Sequence, residues 1–236
     1  MTRAVLFDLD DTLFDHRGAS RAALAEVHRR HAGRTDFSAF EEHHARILED
    51  LHLEVLAGAR NLDDARRERF RRVFEAIGLP LSSEDAEAVA AAYRAGYVPS
   101  WRAVEGAAEL VAAIRERARV GVVSNNLIDE TRDKLMFCRL HPLVDVVVVS
   151  GDEGVSKPDP RIFHVALERL GVGAGEAVMF GDSWAADIVG AARAGIRAVW
   201  FNPRRKPRPE HPPGVAEVFA LTPASAVLPI LIGAER

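Results

Sequence analysis

The chain alternates short apolar runs, each stopping abruptly at polar residues, with longer stretches of helical spacing. Four of the runs are 4–8 (AVLFD), 118–126 (ARVGVVSNN), 144–152 (VDVVVVSGD) and 176–183 (EAVMFGDS). A fifth, 196–202 (IRAVWFN), ends before Pro203, and 215–221 (VAEVFAL) reads as a short sixth strand. Runs that are apolar on both faces are the pattern of parallel strands buried between helices. The intervening segments 104–117, 129–138, 158–170 and 184–194 read as helices. Pro158 and Pro160 open the third, and Gly171 and Gly195 close the last two. This alternation predicts an α/β fold, a doubly wound Rossmann-like parallel sheet with right-handed crossovers.

Residues 16–100 break that rhythm. They contain no convincing strand and read as four helices, 17–31, 37–58, 61–77 and 83–98, with breaks at Gly78-Leu79-Pro80 and at Pro99. The expected organisation is a core made of 1–15 and 101–236, with 16–100 inserted as a helical-bundle cap over the sheet's carboxyl edge.

Composition changes this picture little. Hydrophobic residues at 48% and charged residues at 28% are ordinary for a soluble globular chain, and exclude a disordered or collagen-like one. With 31 basic against 35 acidic residues the net charge is −4, which gives no broad attraction for nucleic acid or an anionic membrane. The basic run 204–209 (RRKPRP) is short and proline-broken, and reads as a solvated loop. A lone cysteine, Cys138, suits a reducing compartment and reads as an inert, partly buried thiol. The amino-terminal apolar run is too short for a secretion signal, and no apolar stretch reaches the roughly 18 residues of a membrane helix. The expected location is the cytoplasm.

Ligands of an open parallel sheet bind beyond the carboxyl ends of its strands, so the residues there carry the chemistry. The first run delivers Asp8, Asp10, Asp11 and Thr12; the second delivers Ser124, Asn125 and Asn126. Lys157 follows the third, and Asp182, Ser183 and Asp187 follow the fourth. Phosphoryl transfer through a covalent intermediate needs such a set. One carboxylate attacks phosphorus, and a second carboxyl protonates the leaving alcohol and later deprotonates water. A divalent cation and a lysine offset the repulsion between anionic nucleophile and anionic phosphate, while hydroxyl and amide groups bind the phosphate oxygens.

In these motifs the chain resembles the haloacid dehalogenase superfamily, over nearly its whole length and in the family's order. The motif DxDxT is read as DLDDT at 8–12, the strand ending in Ser or Thr as VVSNN at 122–126, the lysine motif as SKPDP at 156–160, and GDxxxxD as GDSWAAD at 181–187. The resemblance implies that Asp8 is the nucleophile and a magnesium ligand. It makes Asp10 the acid/base, with its main-chain carbonyl on the metal. Asp182 would bind magnesium directly, and Asp187 would ligate it or orient its waters. Ser124, Asn125 and Lys157 would bind phosphate, with Thr12 fixing the loop. A helical cap after the first motif implies a small phosphorylated metabolite as substrate.

Other readings are weighed on particular residues. The family's dehalogenases need no magnesium and lack the second aspartate of the DxD pair, so Asp10 favours a phosphatase. Phosphosugar mutases share all four motifs and remain an alternative. A non-catalytic receiver-like module would carry its phospho-accepting aspartate on a middle strand and has no place for the insertion. Asp11 and Asp152 read as caps of following helices. His16, His28, His31, His43, His44 and His52 come without HExxH or CxxC patterns and read as solvated helix faces. Trp101 and Trp200 read as packing residues, and Trp184 as a neighbour of the site. Oligomeric state is not legible.

Overall fold

Ala4, Val5, Leu6 and Phe7 are completely buried and form strand β1 (Ala4–Phe7). A computed structural model describes residues 1–233 and divides the chain into two units: Met1–Asp15 with the chain from Arg102 onward, and His16–Trp101. The second unit holds α1 (His16–His31), α2 (Phe37–Leu56), α3 (Leu62–Ala76) and α4 (Ser83–Tyr97). The first continues with α5 (Ala107–Arg115), β2 (Arg119–Ser124), α6 (Ile128–Phe137), β3 (Val146–Val149), the short α7 (Ser150–Glu153) and α8 (Pro160–Leu170). It ends with β4 (Ala177–Gly181), a π-helical turn (Trp184–Val189), α9 (Gly190–Arg193), β5 (Arg197–Phe201), β6 (Ala216–Val218) and α10 (Ala224–Ile232).

All five strand pairings are parallel, in the order β3-β2-β1-β4-β5-β6. The chain leaves β1 first toward β2 and β3, then returns to β1's other side with β4. That reversal opens a crevice at the carboxyl ends of β1 and β4. Burial on both faces explains the apolar runs. Ala4 and Leu6 share a cluster with Ile162, Phe163, Ala166 and Leu170 of α8, while Val5 and Phe7 point to the opposite face. α8 starts on Pro160 behind an Asp159 cap and stops at Gly171, whose φ of 63° suits glycine.

One expected strand is cut short and one expected helix changes type. β3 ends at Val149 because the chain turns into α7, where the Gly151 N–H donates to the Asn126 carbonyl at 3.1 Å. The expected helix over 184–194 is a π-helical turn followed by α9. The basic run is also more than a solvated loop. Arg205 stacks over Phe219, Arg208 lies over Trp184 and donates to the Val215 carbonyl, and Lys206 N–H donates to Asn202. Cys138 is half-buried, and burial pushes its thiol up to about 11. Among the described residues no helix is long and apolar enough to cross a membrane.

In the helical unit α1 packs on α4, α4 on α3, and α3 on α2. Asp36, Asn61 and Ser82 cap α2, α3 and α4 by accepting from the backbone N–H three residues on. The interior is aromatic, with Phe40 edge-on to Phe74 at 5.6 Å and Phe70 against Tyr93 at 5.2 Å. The histidines here are not simply solvated. His44 falls on the buried stripe Phe40–His44–Ile47–Leu51 and is only 2% exposed. Its Nε2 has no hydrogen-bond partner, a state that costs about 1–3 kcal/mol. Burial first, then Arg69 and His16, keep its pKa well below 6.5. His16 contacts the Tyr97 hydroxyl at 2.8 Å, and His28 contacts Thr35 and packs on Phe37 and Phe40.

Leu6→Ala removes a fully buried side chain from the middle of the sheet. The expected loss is about 2–5 kcal/mol, read from the midpoint of urea unfolding. A loss under about 0.5 kcal/mol would mean that β1 is not the packed centre.

Candidate active site

The segment after β1 is a tight loop. The N–H groups of Thr12, Leu13 and Phe14 all point to the Leu9 carbonyl, and the Asp11 N–H donates to the Phe14 carbonyl at 2.7 Å. Asp11 occupies the left-handed region at φ 62°, which a short polar side chain tolerates. It is therefore a turn residue and not the helix cap expected from sequence. The loop stands Asp8 at the strand end and turns Asp10 back beside Phe14. Past it, Phe14 bridges Ala103 and Asp15 pairs with Arg102, so the segments entering and leaving 16–101 lie side by side.

Thr12 is fully buried and joins two strand ends. Its hydroxyl donates to Asp8 Oδ2 at 3.1 Å and accepts the Asp182 N–H at 3.1 Å. On the other side of Asp8, Lys157 donates from one Nζ to Asp8 Oδ1 and to Asp187 Oδ1, both at 2.7 Å. Asn125 holds this lysine by its main chain: its Oδ1 accepts the Lys157 N–H at 2.7 Å and its Nδ2 donates to the Lys157 carbonyl at 2.9 Å. Its side chain is thus spent on the Lys157 loop. Ser124 ends β2, 2% exposed.

Asp187 sits in the π-helical turn with no exposed surface. Its Oδ2 accepts the Ser183 N–H at 2.9 Å. Its carboxylate lies against Gly181, where an added Cβ would collide with it. The Asp182 carbonyl accepts the Trp200 indole N–H at 3.0 Å, and Arg204 reaches its carboxylate at 3.4 Å. Trp184, placed beside the site by sequence, packs edge-on to Trp200 at 5.0 Å and donates its indole N–H to the His211 carbonyl at 2.7 Å.

The carboxylate oxygens of Asp8, Asp182 and Asp187 come within 4.8 Å of one another. Two cations touch this trio, Lys157 on Asp8 and Asp187 and Arg204 on Asp182, and the remaining imbalance is felt. Burial raises Asp8 to about 8 against the pull of Lys157, with Asp187 and Asp182 adding to the rise. Asp182 rises to about 7, through burial first and then Asp187 and Asp11. Burial alone would depress Lys157, but Asp187 and Asp8 outweigh it and raise its pKa. Three converging hard oxygen donors with surplus negative charge suit a divalent cation such as magnesium.

Asp10 is placed differently. Its carboxylate takes Lys134 Nζ on both oxygens, at 2.6 and 2.9 Å, and Asn126 Nδ2 at 3.3 Å. Lys134 is 2% exposed, with its Nζ also 4.9 Å from the Phe14 ring centre. Sequence reasoning missed this lysine. The available signal was helical spacing, since Lys134 shares the inward face of α6 with Thr131 and Leu135.

Comparisons with known proteins agree on the kind of molecule. A family model described as haloacid dehalogenase-like hydrolase matches residues 2–195. The glyceraldehyde 3-phosphate phosphatase of Pyrococcus abyssi is 30% identical, over 86% of this chain and 82% of its own. The phosphoserine phosphatase of Thermus thermophilus is also 30% identical, over 89% and 92%. Among solved structures, a haloacid dehalogenase-type phosphatase from Thermococcus onnurineus matches with TM-score 0.63, 26% identity and full coverage of both chains.

The raised carboxyls set a pH dependence. Folded Asp8 and Asp182 hold protons up to about 8 and about 7, whereas the unfolded chain releases them near 3.8. Stability of the metal-free protein should therefore fall as pH rises from about 4 to about 8, then level off. A divalent cation should restore more stability at the top of that window than at the bottom. Thermal melts across the window, with and without magnesium, measure this; equal stabilisation at both ends contradicts it.

Proposed function

The chain belongs to the haloacid dehalogenase-like hydrolases, and we propose that it is a magnesium-dependent phosphate-monoester hydrolase that works through an aspartyl phosphate on Asp8. The carrying observation is the second carboxylate. Asp10 stands two residues beyond Asp8 on the same loop, held by Lys134 and Asn126 and apart from the trio around Lys157. A hydrolase that esterifies a carbon has no leaving alcohol to protonate, whereas phosphate-ester cleavage needs an acid there. The phosphatase names of both relatives support the same choice.

In the first half-reaction a carboxylate oxygen of Asp8 attacks phosphorus, the bond from phosphorus to the alcohol oxygen breaks, and Asp10 gives that oxygen its proton. In the second, Asp10 takes a proton from water, the resulting hydroxide attacks phosphorus, and Asp8 leaves as a carboxylate with inorganic phosphate. Lys157 and Thr12 fix the two oxygens of Asp8. Ser124 and the neighbouring main chain bind the phosphate oxygens. Magnesium held by Asp8, Asp182, Asp187 and the Asp10 carbonyl would supply the positive charge that lets Asp8 meet a phosphate. Unit 16–101 is read as the cap that selects the substrate, a small phosphorylated metabolite like those named for the relatives. The cytoplasm is its proposed compartment.

Asp8→Asn should lower kcat on p-nitrophenyl phosphate by at least about a thousandfold, with the far-ultraviolet circular dichroism unchanged. A chelator should stop the wild-type enzyme and magnesium restart it; turnover without metal would overturn the proposal. Lys134→Met should lower kcat by about a hundredfold with a smaller change in KM, because it loosens the acid/base and not the substrate. A loss confined to KM would assign Lys134 to substrate binding instead.

A further inference from the structure

At the amino ends of β1 and β2, the edge of the sheet away from Asp8 and Asp182, the surface holds a cleft of about 340 Å³. Its walls are Arg3, Arg115, Arg117, Ala118, Arg119 and Asp145. That volume lies at the lower end of the roughly 300–1,000 Å³ usual for small-molecule sites. Four guanidiniums therefore share one small space with a single carboxylate. Adding Glu176, the partner of Arg3, still leaves two cations in excess. The chain as a whole carries −4, so this concentration of positive charge is local and runs against the overall balance.

The fold brings these side chains together from separate segments. Arg3 precedes β1, Arg115 ends α5, Arg117 lies in the turn after it, and Arg119 opens β2. The Arg119 N–H donates to the Arg3 carbonyl at 2.9 Å, which sets the two strand starts side by side. Asp145 is fixed beside them: its Oδ2 accepts the Val120 N–H and its own N–H donates to the Val120 carbonyl, both at 2.8 Å. Basic residues at the carboxyl end of a helix complement its dipole, which accounts for Arg115 and, beyond it, Arg117. It does not account for Arg3 and Arg119 at the strand starts. The contacts also leave donors to spare. Arg3 meets Glu176 at 3.1 Å, Arg115 meets Asp145 at 3.0 Å and Arg119 donates to the Leu170 carbonyl at 2.6 Å, in each case from Nη1. Nε and Nη2 form the other edge of each guanidinium, two parallel N–H groups that match oxygen acceptors. The side chains of Arg3 and Arg115 are 56% and 39% exposed, so a dissolved ligand can reach them.

We propose that this cleft binds a compact phosphorylated anion of at least two negative charges, at a site separate from the carboxylates at the strand ends. The excess of two cations neutralises a dianion, whereas a monocarboxylate leaves half of it uncompensated. Guanidinium forks from three segments suit the three terminal oxygens of a phosphate group better than the two of a carboxylate. The lining holds no aromatic ring on which a base would stack, so the phosphate group itself is what is recognised. A cleft this small on a net-acidic chain selects a small ligand over a nucleic acid or an anionic membrane.

The test uses the full chain, stripped of metal on a chelating resin, with methylenediphosphonate as a probe that resists hydrolysis. Calorimetry should give one saturable site. The backbone amide resonances of Ala118, Arg119, Val120 and Asp145 should shift with it, while those of residues 8–12 and 182–187 stay in place. Arg3→Gln and Arg117→Gln should each weaken binding by about tenfold, with the far-ultraviolet circular dichroism unchanged. Asp145→Asn keeps an oxygen for the Val120 N–H but removes the charge, and should tighten binding severalfold, a change that a purely structural role does not produce. No saturable binding up to about 10 mM, shifts at 8–12 and 182–187 in place of those at the cleft, or unchanged affinity in both arginine variants would overturn the proposal. Equal affinity for acetate, or tighter binding of duplex DNA or of phosphatidylserine vesicles than of the diphosphonate, would overturn it too. None of these readouts involves turnover, so they stand whether or not the phosphatase assignment does.

Discussion

Three carboxylates crowded within 4.8 Å at the ends of β1 and β4 repel one another, and much of the core unit is arranged to tolerate them. Two unit charges at that separation repel by about 3–4 kcal/mol at an effective dielectric near 20. Lys157 answers by donating to both Asp8 and Asp187 from one nitrogen. Thr12 spends its hydroxyl on Asp8 and on the Asp182 backbone, and Ser183 gives an N–H to Asp187. What these contacts leave uncompensated appears as the raised pKa values of Asp8 and Asp182. A divalent cation and the charge distribution of phosphate-ester cleavage fit that residue of unbalanced charge.

The backbone bends to the same demand. Gly181 has no side chain, so the Asp187 carboxylate can lie against the end of β4. The helix after Ser183 begins with a π-helical turn in the stretch that carries Asp187 inward, and π-turns commonly mark such sites. Asp11 takes a left-handed conformation to close the loop that turns Asp10 back beside Phe14. Behind them, a sheet buried on both faces gives the strand ends little freedom to relax. The rigidity of the core is what lets unfavourable charges stay together.

The helical unit uses charge in another way. Most arginines of α3 are neutralised within one or two turns by Asp or Glu, the ordinary device of a solvated helix. Arg69 and His44 are instead turned onto the rings of Phe70 and Tyr93. Leaving His44 Nε2 and Arg69 Nε without partners in an aromatic interior is costly.

The sheet was legible because its strands are apolar on both faces, and the strand-end residues because polar groups there interrupt an otherwise unbroken hydrophobic pattern. Asp8, Asp10, Ser124, Lys157, Asp182 and Asp187 could all be named from the chain, and the insertion after β1 could be seen as four helices. Their partners could not. Lys134 meets Asp10, Asn125 clamps Lys157, and Arg204 reaches Asp182 across separations of many residues, and periodicity says nothing about such pairs. His44 misled for a related reason: flanked by Glu42, His43 and Arg46, it looks solvated until the helical stripe from Phe40 to Leu51 turns it inward. Local composition fixes which faces are buried, because that is a property of successive residues. Which charges lie side by side depends on how the strands and helices are threaded together, and only the folded chain decides that.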